Sequence, residues 1–299
     1  MKIRNAPVGD PPQRVSLWLR VLARVPLPVW YAVASFFAFL AWKVIPYRRH
    51  VVEGNLRLSF PEWDDARRER VIRDYYRGFA DVFVEVFHTP RMAREDLGRR
   101  MRILNPELAR AEVARGKPVL LMAAHQGNWE WLLLGLSTQL DMPVDAAYKP
   151  LKNAWADREM LAVRGQFGAR MIPAQQLLGD IIQRRNVPRA IALLADQEPV
   201  SSERKHWARF LNRDTAFFLG GEEIARSVRY AALFVRVTRV RRGYYEAELV
   251  PLAAAGELLP AGEFTTRFAR MAEEQIRAAP ADWPWSHKRW KLKKPLYGA

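Results

Sequence analysis

Val119-Leu120-Leu121-Met122-Ala123-Ala124-His125-Gln126-Gly127-Asn128-Trp129-Glu130 runs from six apolar residues into a polar turn, and Trp131-Leu132-Leu133-Leu134 follows at once. A continuous apolar run of this length reads as a strand buried on both faces. It ends at a histidine, and Gly127 supplies the freedom a sharp turn needs. Asn128 is a plausible N-cap for a helix from Trp129 to about Leu140. Glu130 is the fifth residue after His125, and five residues of one helix turn the chain by about 500 degrees. The two side chains therefore converge only if His125 precedes the helix and Glu130 lies inside it.

A neutral imidazole can take a proton from an alcohol, and a carboxylate beside it can fix its tautomer and stabilise the imidazolium. We therefore expect His125 as general base with Glu130 orienting it. The other four histidines, His50, His88, His206 and His287, are followed five residues on by Asn55, Ala93, Leu211 and Leu292. Only the one at the strand-to-helix junction carries an acid. The chain has no Cys, no Gly-x-Ser-x-Gly elbow and no His-Glu-x-x-His metal pair. A histidine acting on the substrate's own hydroxyl, with no metal and no cofactor, is the simplest chemistry left. A hydrogen-bonded structural histidine at a turn would present the same residues.

Around this unit, residues 117–197 alternate in type. Strands are expected at 118–124, 142–148, 169–173 and 190–195, with helices near 129–140, 153–167 and 175–185. Such alternation implies an α/β fold, a largely parallel sheet of mixed type flanked by helices. Ligands of such sheets bind at the carboxyl ends of strands, where both His125 and Asp196 fall. Upstream, Val71, Tyr75, Phe79, Val82, Phe83 and Val86 stripe a helix from Trp63 to Phe87. Downstream, Arg241-Arg242-Gly243 joins two strands, Ala232–Val240 and Tyr244–Val250, and a helix near 264–278 precedes a Trp-rich tail.

With 299 residues and 49% hydrophobic content the chain is globular, with length enough to bury a core. Its net charge of +16 sits mostly at its ends: residues 1–60 hold nine Lys/Arg against two acids, and residues 281–299 hold five against Asp282. Val25 to Trp42 carries no charge. As a helix it would reach about 27 Å, marginal for a hydrocarbon core of roughly 30 Å. Before it, Leu17, Trp18, Val21, Leu22 and Val25 repeat at helical spacing among Arg14, Arg20 and Arg24, as in a basic helix lying at an interface. Ala32-Val33-Ala34 lies inside the apolar run rather than after it, which argues against a cleaved leader. We expect residues 1–46 to form a membrane-anchoring segment, as a single span or an in-plane helix, and residues 47–299 the catalytic domain. The basic tail would add to membrane attachment, with His287 and its tryptophans as interfacial packing. No RNP, zinc-finger or KH pattern supports nucleic acid as the partner of this basic chain.

These residues, taken in order, resemble the bacterial lipid A late acyltransferases, the lauroyl/myristoyl transferases within the lysophospholipid acyltransferase superfamily. The likeness runs from about residue 15 to 292. It includes Asn55-Leu56-Arg57-Leu58-Ser59-Phe60-Pro61-Glu62, Glu85, His125 through Glu130, Tyr148-Lys149-Pro150, and Arg164 ahead of Phe167-Gly168. It continues through Ala195-Asp196-Gln197 and Thr215-Ala216-Phe217-Phe218 to Trp283-Pro284-Trp285-Ser286-His287-Lys288-Arg289-Trp290. The resemblance implies an enzyme of the bacterial inner membrane, at its cytoplasmic face. It would move an acyl chain from acyl carrier protein, or alternatively from acyl-coenzyme A, to a hydroxyl of a lipid A-type glycolipid or lysolipid. Oxyanion donors would come from the Gly127 and Asn128 amides or from Arg164, and Asp196 joins them as a site or capping residue. A thioesterase or phospholipase on the same scaffold, and a non-enzymatic lipid-binding membrane protein, remain the rival readings.

Overall fold

The computed structural model describes residues 15–200 and 204–294. Arg14 and the last five residues of the tail lie outside that range. The N-terminal helices are α1 (Leu17–Leu22), α2 (Leu27–Phe39), α3 (Arg49–Ser59), α4 (Asp65–His88) and α5 (Arg94–Arg100). Then come β1 (Met101–Ile103), α6 (Glu107–Ala114), β2 (Val119–Ala123), α7 (Trp129–Gln139), β3 (Val144–Tyr148), α8 (Ala154–Arg164), β4 (Arg170–Pro173), α9 (Leu177–Gln183) and β5 (Ala190–Leu194). A separate antiparallel pair, β6 (Lys205–Phe210) and β7 (Arg213–Phe218), leads into α10 (Gly220–Val228). The chain closes with β8 (Ala232–Arg241), β9 (Tyr244–Ala253) and α11 (Glu263–Ala278).

Seven strands form one sheet in the order β1-β9-β8-β2-β5-β3-β4. Every neighbouring pair is parallel except β8 with β9, which a tight turn joins. This is the mixed, largely parallel α/β sheet that the alternation of elements implied. β2 stands at its centre, and the pleat explains its unbroken apolar run. Leu120, Met122 and Ala124 pack into one core with α4 and α11, while Val119, Leu121 and Ala123 pack into another with α5 and α7. Burying each large aliphatic side chain there contributes about 1.5–3 kcal/mol. α7 is apolar on nearly every side because Trp131, Leu132, Leu133, Leu134 and Leu136 are all buried beneath the second core.

Two elements run against the sequence reading. β6 and β7 were legible only as an apolar stretch, because their connecting residues Leu211 and Asn212 both take positive φ without a glycine to mark the turn. The tryptophans of the tail face inward: Trp283 and Trp285 are among the largest fully buried side chains, and Arg289 is buried against the Phe217 ring at 4.8 Å. They complete the core rather than form an interfacial belt. Lys288, Lys291, Lys293 and Lys294 stay exposed.

Residues Leu27–Val44 are long and apolar enough to cross a bilayer, by length and composition. α2 continues into a π-helical turn over Leu40–Val44, and together they run antiparallel along α4. Tyr31 Oη donates to Glu85 at 2.9 Å, and eleven residues later Trp42 Nε1 donates to Glu69 at 2.7 Å. Leu27, Ala34 and Ala38 are the buried positions, whereas Val29, Phe36, Phe37 and Phe39 point outward.

Candidate active site

Strand register builds the site. β2 and β5 are parallel neighbours with Ala123 opposite Leu194. Two residues beyond those ends the same register brings His125 opposite Asp196. Asp196 is 1% exposed, and its Oδ1 lies 2.6 Å from His125 Nδ1. Its Oδ2 accepts the His125 backbone N–H at 3.1 Å and the Trp283 indole N–H at 2.8 Å. Burial alone would raise the Asp196 pKa, but the His125 charge, the two bonds from His125 and the Trp283 bond outweigh it and hold the carboxyl down at about 2. The carboxylate therefore accepts a hydrogen bond from Nδ1–H, which leaves Nε2 as the acceptor nitrogen. Nε2 faces the open end of the sheet, where the exposed Gln197 amide nitrogen lies 3.2 Å away.

The expectation that Glu130 orients His125 is corrected by this geometry. Asn128 caps α7 by accepting the Trp131 N–H at 2.8 Å, so Glu130 becomes only the second helical residue and points toward α8. There Arg164 grips it with two parallel bonds, Nε to Oε2 at 2.8 Å and Nη2 to Oε1 at 2.6 Å. The pair still borders the histidine through Trp129. That indole N–H reaches Glu130 at 3.1 Å, and its ring meets the His125 ring edge-on at 5.3 Å between centroids.

The oxyanion candidates separate in the same way. Gly127 adopts φ +60, and an added Cβ would lie 3.3 Å from the Tyr245 ring, so the turn needs glycine for both conformation and space. Its N–H is already bonded to the Asp282 carbonyl at 2.9 Å, which removes it from the open donors. Asn128 stands at the α7 N-terminus, where the first helical amides have no intrahelical acceptor. Arg164 spends two of its five N–H groups on Glu130. Among the described residues no three His, Asp or Glu side chains group to hold a metal ion.

Residues 15–292 match the family model described as bacterial lipid A biosynthesis acyltransferase. The chain belongs to that family. The match spans nearly the whole chain and includes both halves of the His125–Asp196 pair. Membership supports acyl transfer onto a lipid A-type substrate. Among curated proteins, none matches the chain significantly.

Sequence reasoning placed Asp196 near the site but missed three of its supports. Trp283 holds the acid from the tail, Gln197 meets His125 Nε2, and Asp282 secures Gly127. Only the Asp196-Gln197 dipeptide at a strand end gave any local signal. Beside the turn lies a shallow cleft whose walls include Phe79, Val82, Trp129 and Trp283.

Proposed function

We propose that the protein transfers a fatty acyl chain from an acyl thioester to a hydroxyl of a lipid A-type glycolipid, with His125 as general base and Asp196 as the residue that orients it. The observation that carries this reading is the acceptor nitrogen of His125, turned to the open carboxyl end of the sheet by a buried carboxylate. His125 Nε2 takes the proton of the acceptor hydroxyl as its oxygen attacks the thioester carbonyl. The C–S bond then breaks, and the departing thiolate recovers the proton from the imidazolium. The Asn128 amide at the helix N-terminus and an uncommitted N–H of Arg164 are the donors for the oxyanion. Glu130 holds Arg164 in place for that role. The cleft walled by Phe79 and Val82 offers the acyl chain apolar contact.

We assign acyl carrier protein as donor, because strongly acidic carriers suit a chain of net charge +16. Residues 1–46 act as the anchor at the cytoplasmic face of the inner membrane. α2 lies in the membrane plane rather than across it. It is bound lengthwise to α4, whose exposed Arg70, Arg73, Asp74 and Arg77 would have to follow it inward. Each charge at the bilayer centre costs about 2.5–3.5 kcal/mol. Phe36 and Phe37, each 58% exposed, then enter the lipid from one side.

The test is reconstitution of full-length protein with acyl carrier protein loaded with a fatty acyl thioester and a lipid A-type acceptor, read by mass spectrometry of the lipid and by thiol release. Ester formation that requires acceptor, with apparent donor affinity weakening as salt rises, supports the reading. Thiol release that is equally fast without acceptor would make the protein a hydrolase.

A further inference from the structure

Glu85 stands near the end of α4, fully buried, and the proposed chemistry does not use it. Its carboxyl accepts three bonds from three different elements. Oε2 takes the Asn128 side-chain N–H at 2.7 Å and the Tyr245 hydroxyl at 2.9 Å, while Oε1 takes the Tyr31 hydroxyl at 2.9 Å. Asn128 is the last residue of the polar turn, and its other side-chain atom caps α7. Tyr245 is the residue whose ring lies beneath Gly127. Tyr31 belongs to α2, the helix that carries the outward Phe36 and Phe37. One turn on, Thr89 donates to the Glu85 carbonyl at 2.9 Å and accepts the Trp131 indole N–H at 2.9 Å. The end of α4 therefore grips the Asn128–Trp131 segment at both ends.

Hydrophobic residues of similar volume would usually fill such a place at lower cost than a buried carboxyl. What a carboxyl adds is direction: it fixes where the Asn128 amide and the Tyr245 hydroxyl point. We propose that Glu85 is a positioning residue of the acyl-transfer site, aiming the His125–Asn128 turn through Asn128 and coupling that turn to α2 through Tyr31. This rests on the acyl-transfer reading of the turn. Seating α2 in lipid then tightens the catalytic turn, and loosening α2 slackens it. A displacement of 1 Å at such a turn can cost about 100-fold in rate.

A hydrogen-bond reversal tests it, using the full chain in lipid vesicles with acyl-loaded acyl carrier protein and a lipid A-type acceptor. Asn128→Asp keeps the α7 cap but sets a second carboxylate oxygen against Glu85 Oε2. The assay is run at about pH 9, well above the value of about 7 to which burial raises Glu85, so that no proton on Glu85 bridges the two. We expect kcat to fall about 30-fold or more, with KM for the donor nearly unchanged. Adding Glu85→Gln turns the bond around, since the introduced amide nitrogen now donates to the carboxylate at position 128 and the two tyrosine hydroxyls can rotate to suit. The double variant should recover to within about five-fold of wild type. Tyr31→Phe deletes only the hydroxyl that joins α2. It should lower kcat several-fold and speed amide exchange over residues 125–131.

A double variant no more active than N128D overturns the proposal, as does an N128D enzyme as active as wild type. Should N128D fail to fold, unchanged kcat and exchange in Tyr31→Phe overturns it instead. Amide exchange reads the clamp whatever reaction the site performs. An exchange pattern that follows the reversal in a protein with no acyl transfer would sink the transferase reading and leave the clamp standing.

Discussion

Replacing Asp196 by Asn tests the histidine–acid pair at its most exacting point. The substitution keeps shape and removes one charge, and the hydrogen bonds around the site decide which way the amide turns. At one oxygen the acid receives a single donor, His125 Nδ1–H. At the other it receives two, the His125 backbone N–H and the Trp283 indole. An amide nitrogen at the second position would face two donors, so the amide places its oxygen there and its nitrogen toward the ring. Nδ1 must then accept, the ring proton moves to Nε2, and the nitrogen that should take the substrate's proton already holds one. Loss of the correct tautomer in a comparable His–Asp pair costs about 10⁴-fold in kcat, equivalent to about 5.5 kcal/mol of barrier. The Asp196→Asn protein should fold, because every buried donor keeps an acceptor. Single-turnover acyl transfer measures the loss, and nitrogen NMR of labelled histidine reports the tautomer. A variant that keeps more than about a tenth of wild-type kcat, or that holds its proton on Nδ1, would refute the reasoning. If Glu130→Gln instead caused a comparable loss with a switched tautomer, the acid that governs the ring would be Glu130.

Arg164→Ala leaves the Glu130 carboxylate without its two strongest donors. We expect about 2–3 kcal/mol of lost stability, less than for a deeply buried pair because a fifth of the Arg164 side chain is exposed, and thermal unfolding will show it. Phe36→Glu with Phe37→Glu should move the protein from floated vesicles to the soluble fraction at physiological salt, with the fold intact because neither side chain touches the core; retained flotation would count against in-plane insertion. Glu85 has its pKa raised to about 7 by complete burial, against the opposing bonds from Asn128, Tyr31 and Tyr245 and the Arg239 charge. Its ordinary value is 4.5, so the folded state binds the extra proton between the two values. Its contribution is full below about 4.5 and is lost as pH rises through about 7, a change of about 3 kcal/mol. Glu85→Gln should flatten the stability–pH curve over that window, and an unchanged curve would exclude Glu85 as its source. Asp196, depressed to about 2, acts in the opposite sense and below that window: its contribution is present above 3.8 and falls away toward 2.

Local pattern determined much of this protein. The apolar run of β2, the Gly127 turn, the Asn128 cap and the apolar α7 were legible because periodicity and capping depend on residues a few positions apart. The alternation over residues 117–197 carried the parallel sheet, and the uncharged N-terminal stretch carried a candidate anchor. Partnerships across the chain were not legible. His125 meets Asp196, 71 residues away, because β2 and β5 are neighbours in one register, and no local pattern states which strands adjoin. Glu130, near in sequence, is carried away from His125 by the rotation of α7 and given to Arg164. The tail's tryptophans look amphipathic in sequence, yet α11 turns them inward, where Trp283 supplies a donor to Asp196. Side-chain type records what a residue can do chemically. Register and packing select which other residue it does it with, because hydrogen bonds and ion pairs act over a few ångströms and only the tertiary fold brings distant segments within that range.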